Sequence, residues 1–160
     1  MVSQAWRSHR RLLLAETVLA IGVNCLLTVV AAYLVAGKMQ QVPLWGPGGI
    51  AVDLFPTFFM ITFMTTLIPT VLIRRRMARG AVAPLRAPAR SRLVGVRPVT
   101  RALLFAAAAT LLFAPCTAAL LWALGLEQLP FVSFVAFKAG LAIVYVAAIT
   151  PPLVALALSS

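Results

Sequence analysis

The 160-residue chain is 62% hydrophobic and only 11% charged, with a mean hydropathy of +1.02 and a formal net charge of +11. Those values exclude a soluble globular domain and point to an all-α membrane protein. One histidine and two isolated cysteines give no metal-ligand spacing and no CxxC pair, so neither metal nor cofactor is expected.

Four apolar runs, 12–36, 50–73, 102–124 and 131–158, each exceed the ~20 residues that cross a ~30 Å hydrocarbon core. Backbone amides in lipid must be bonded within their own segment, so each run is expected as a helix. The expectation is a four-transmembrane-helix bundle forming one domain over 1–160, with an Arg-rich cytoplasmic loop at 74–101.

Ahead of the first run, Ser8-His9-Arg10-Arg11 followed by leucines has the order of an export signal. The apolar run is too long for the 7–15 residues of a signal core, so the segment is expected to stay as a span. Within it, LLLAETVLAIG sets Glu16 in the first helix of a small four-helix protein, which resembles the proton-coupled small multidrug resistance transporters. That resemblance implies a proton or ion site at Glu16. The chain departs from the family in its long basic loop and in an arginine asymmetry that opposes dual insertion. The residues themselves offer a structural reading, with Glu16 held at the inner interface by Arg97 or Arg101. Thr17, Asn24 and Thr28 fall along one helical line beside Ala20 and Ala31, a stripe suited to close packing. Ala107, Thr110, Ala114, Thr117 and Ala118 offer a matching stripe on the third helix. Cys25 and Cys116 lie at similar depth on these two helices and read as small packing residues.

Orientation follows the basic residues. Arg7, Arg10 and Arg11 precede the first run, and Arg74, Arg75, Arg76, Arg79, Arg86, Arg90, Arg92, Arg97 and Arg101 lie between the second and third. Only Lys38 falls among the opposite loops, so the termini and the arginine loop are expected in the cytoplasm of an inner-membrane protein. Trp6 would mark the inner boundary, with Tyr33, Trp45 and Trp122 at the outer one. The loop is read as a flexible linker whose arginines, Arg74, Arg75, Arg76 and Arg79 among them, meet anionic inner-leaflet lipids. No aromatic residue is interleaved for base stacking, so nucleic acid is not expected as a partner.

The second and fourth runs share a pattern. QVPLWGPGGIAVD ends at Asp53 and QLPFVSFVAFK ends at Lys138, so a Gln-x-Pro turn precedes an intramembrane charge in each half. Two readings stand: coincidence, or two helical hairpins forming a parallel repeat. Independently of the repeat, an isolated charge at either position is costly, and an Asp53–Lys138 pair is the expected remedy. Prolines at 69, 115 and 151–152 are expected to kink their helices, with threonine hydroxyls serving the freed carbonyls near Pro69.

No GxSxG and no intramembrane histidine are present, so an enzyme is not expected. The function that fits is a packing or partner-binding membrane component, with a second copy or another membrane protein as partner. The alternative is a small transporter or channel subunit with an outward-facing polar site at Asp53 and Lys138.

Overall fold

In the computed structural model of the protein, residues 2–80 and 97–158 are described, with backbone alone for 2–13 and 158. Among the described residues, four helices are long and apolar enough to cross a membrane. The order is α1 (Val2–Ala36), β1 (Gln41–Pro43), α2 (Ile50–Ala78), α3 (Pro98–Ala123), β2 (Gln128–Pro130) and α4 (Phe131–Leu158).

Two helices run beyond the apolar segments that nucleate them. α2 passes Ile73 and ends at Ala78, so Arg74, Arg75 and Arg76 are helical rather than part of a loop. Arginine is a good helix former, and cations are favoured in a last turn whose carbonyls carry partial negative charge. α3 begins at Pro98, where the missing N–H and preset φ of proline suit a first helical position, and this places Arg101 inside the helix. The flexible-linker expectation, with Arg86, Arg90 and Arg92, falls on 81–96 and lies outside the described residues.

The Gln-x-Pro segments are strands, where sequence alone suggests turns. β1 and β2 pair antiparallel, with Gln41 opposite Pro130, Val42 opposite Leu129 and Pro43 opposite Gln128. Flanking bonds extend the ladder symmetrically: Leu44 N–H donates to the Glu127 carbonyl at 2.7 Å, and Phe131 N–H to the Gln40 carbonyl at 3.1 Å. In each half the residue after the proline donates to the residue before the glutamine of the other half. Antiparallel pairs alternate between bonded and non-bonded positions, and this register puts both prolines at non-bonded ones. Their missing N–H groups therefore cost the ribbon nothing.

Helix packing exchanges partners between the halves. α1 lies along α4 and α3 along α2, while α2 and α4 pack together at the centre. Within each half the two helices are splayed, α1 from α2 and α3 from α4. The expected facing of α1 and α3 stripes is thereby corrected: α3 turns Ala102, Ala106, Thr110, Ala114 and Ala118 inward as its buried face, against α2. Stripes of small residues permit close approach but carry no address, so either pairing satisfies the pattern. Cys25 and Cys116 are both free, and Cys116 is exposed.

The main core joins Ala32, Ala36, Leu54, Phe58, Ala114, Phe134, Ala142 and Val146 to Val42 and Leu44 of the ribbon segment. The ribbon thus seals one end of the bundle and the arginines gather at the other. Between β1 and α2 the chain turns through Gly46 and Gly48, at φ 99° and 74°, a left-handed backbone that favours glycine. α2 and α4 stay helical through Pro69 and through Pro151 and Pro152. The threonine hydroxyls bond carbonyls other than that of Thr65, which Pro69 deprives: Thr66 donates to Thr62, Thr70 to Thr66 and Thr150 to Val146.

Candidate functional site

Asp53 stands in the first turn of α2, and Lys138 two turns into α4. Lys138 Nζ lies 2.5 Å from Asp53 Oδ2, and the side chains are 1% and 6% exposed. The contact is an ion pair rather than an aligned hydrogen bond, since Nζ meets no acceptor at hydrogen-bond angles. Thr57 Oγ1 approaches the same carboxylate oxygen at 3.5 Å, and the Phe134 ring lies 5.4 Å from the ammonium. A ring face attracts a desolvated cation, and the free amides at the start of α2 favour an anion. Each charge therefore has a second source of stabilisation besides its partner.

The two positions match in depth because the halves reach their helices differently. After β1 the chain spends the Gly-Pro-Gly-Gly bend before α2 begins at Ile50, whereas α4 begins at Phe131, directly after β2. Asp53 needs one turn, and Lys138 two, to arrive at one level under the ribbon.

Glu16 is bound by a different arginine from those expected. Arg76 Nη1 donates to Glu16 Oε1 at 2.8 Å, with Glu16 buried and Arg76 43% exposed. Arg97 and Arg101 lack this contact because α3 lies along α2, away from α1; the helical extension of α2 carries Arg76 to Glu16 instead. Asn24 Nδ2 donates to the Ala20 carbonyl at 2.8 Å and to Thr65 Oγ1 at 3.2 Å, tying α1 to α2. Thr28 is buried on the same face and Thr17 is half-buried. Arg74 and Arg76 are partly covered, while Arg75 and Arg79 are exposed at the arginine end. Tyr33, Trp45 and Trp122 are exposed toward the ribbon end.

Two polar groups of the interior escape sequence reasoning. Tyr145 shares a hydrogen bond of 2.7 Å with Thr62 and packs edge-on against Phe58 and Phe113, at centroid distances of 4.9 and 5.2 Å. Its position one heptad after Lys138 puts both on the face of α4 that meets α2, and that spacing is the available signal. Arg101 is 1% exposed and donates from Nη2 to Thr70 Oγ1 at 2.8 Å. Its burial carries no sequence signal, because a basic residue beside an apolar run reads as interfacial.

Cavities lie along the helix surfaces. One of about 650 Å³ is bordered by Trp45, Phe55, Pro115 and Trp122; another of about 430 Å³ lies between α3 and α4, and a third of about 340 Å³ between α1 and α2. Asp53 and Lys138 line none of these three. Among the described residues no group of three or more His, Cys, Asp or Glu could hold a metal ion. The chain matches no family model, no curated protein and no solved structure.

Proposed function

We propose that this is a small multi-pass inner-membrane protein without a catalytic site of its own, acting as a packing or partner-binding component. The observation that carries this reading is the closure of the Asp53–Lys138 pair under the ribbon, with both side chains almost wholly covered. A transport site needs a path for its cargo, whereas a paired, capped charge fixes how two halves fit together. Apolar grooves between the splayed helices offer surface to a neighbouring helix of a second copy or of another membrane protein.

The reading includes orientation and architecture. The arginine end faces the cytoplasm, with its cations toward the anionic leaflet, and the ribbon faces outward. The two halves are parallel-repeat hairpins about an axis along the membrane normal. The reciprocal ribbon bonds and the exchanged helix packing support that relation.

The test uses the purified full chain in proteoliposomes together with site-specific photocrosslinking in cells. No ion-gradient-driven current should appear on a solid-supported membrane, and a crosslinker at Leu34 in the α1–α2 groove should give one discrete adduct of protein mass. A current abolished by the Asp53→Asn/Lys138→Met double variant would replace this reading with the transporter alternative.

A further inference from the structure

Arg101 carries more donors than the protein satisfies. One of the five N–H groups of its guanidinium is spent on Thr70, and among the described residues Nε and Nη1 meet no acceptor. Arg74 stands close enough to add a second positive charge. The sequence holds only three acidic residues, and all are elsewhere: Glu16 on Arg76, Asp53 on Lys138, and Glu127 exposed beside the ribbon at the opposite end. A buried guanidinium with unmet donors and no side-chain carboxylate available to it is a ready partner for an anion.

The surroundings say which kind. Arg101, Phe105, Ala108 and Leu112 follow one another along a single face of α3, and the last three line the groove of about 430 Å³ opposite Ile149, Leu153 and Leu156 of α4. Thr62 of α2 also borders that groove, and Thr70 lies two turns along the same face of α2 toward the arginine end. From Arg101 to Leu112 the helix rises about 16 Å, close to half of a ~30 Å hydrocarbon core. A cation one turn beyond an apolar groove, the two together spanning about one leaflet, matches a phospholipid in both chemistry and length.

We propose that the α3–α4 groove binds one anionic phospholipid from the leaflet at the arginine end, its phosphate on the Arg101 guanidinium and an acyl chain along the groove. A planar guanidinium presents paired donors that match phosphate oxygens, which a lone threonine hydroxyl cannot. The proposal requires the guanidinium to turn from Thr70 toward the inner mouth of the groove, one turn before Phe105 along α3. Arg74 adds attraction for the headgroup. The site shares no residue with the Asp53–Lys138 and Glu16–Arg76 pairs and stands whichever role those pairs serve.

Native mass spectrometry of the full chain, released from nanodiscs of equimolar phosphatidylglycerol and phosphatidylcholine, reads the site directly. One retained phosphatidylglycerol per chain is expected. Arg101→Gln should lower that retention roughly tenfold, the loss of a charge-assisted contact. Ala108→Trp, which keeps the guanidinium and fills the groove, should lower it as well, and it decides the matter alone if Arg101→Gln does not keep its helical circular dichroism. Millimolar glycerol 3-phosphate should fail to displace the lipid. Equal retention of phosphatidylcholine, or unchanged retention in Ala108→Trp, would overturn the proposal. Displacement by glycerol 3-phosphate would overturn it too, in favour of a site for a free anion.

Discussion

Lys138 of α4 and Asp53 of α2 meet at 2.5 Å beneath a two-stranded ribbon made of the segments that lead into those same helices. The ribbon fixes where each helix starts, and the start fixes the depth of each charge. Removing one partner leaves the other uncompensated in a medium that solvates it poorly. Asp53→Asn or Lys138→Met alone should therefore cost about 3 kcal/mol, and the double change markedly less than the sum of the two. Unfolding by sodium dodecyl sulfate in mixed micelles checks this through a double-mutant cycle. Additive single costs would show that the pair contributes no coupling.

The Glu16–Arg76 pair should behave differently. Arg76 is 43% exposed, so water and salt screen the contact, and Glu16→Gln should cost at most about 1 kcal/mol. Repeating the unfolding titration in low and high salt checks the distinction. The cost of Glu16→Gln should shrink as salt rises, while that of Asp53→Asn should hold.

Exchange of partners between the halves predicts that they hold together without the connecting segment. A chain cut at a protease site placed at Pro88 should still co-elute as one species in mild detergent, because α1 rests on α4 and α3 on α2. Cysteines replacing Val42 and Leu129, opposite one another in the ribbon, should join the cut halves covalently on oxidation. The spacing of an antiparallel pair falls within the reach of a disulfide. Separation of the cut halves in mild detergent would contradict the exchanged packing.

Orientation gives the fourth prediction. A cysteine introduced at Lys38 or Gly125 should react with a membrane-impermeant thiol reagent added to spheroplasts, and one at Arg79 should react only after lysis. The opposite pattern would invert the assignment made from the arginines.

Much of the architecture was legible in the residues because the bilayer imposes it. Apolar runs longer than a hydrocarbon core, in a solvent that offers no hydrogen bonds, can only be helices, and their number follows from counting them. The interruption at each Gln-x-Pro was also visible. Its conversion into a strand was not, since a strand of three residues has no stability apart from its partner, and that partner lies in the other half of the chain. Helix pairing was likewise hidden: α1 and α3 both carry small-residue stripes, and such stripes do not name the helix they will meet.

Sequence by itself determined the membrane class, the four helices and the scarcity of acids that makes each one conspicuous. Tertiary structure alone decided that Glu16 meets Arg76 rather than Arg97 or Arg101, because an arginine's neighbours depend on which helix lies alongside and how far it extends. It also decided that Arg101 is buried with donors to spare while Arg75 and Arg79 are exposed. Composition registers these arginines as equal charges; only the packing around each one settles which is exposed and which is buried with donors unmet.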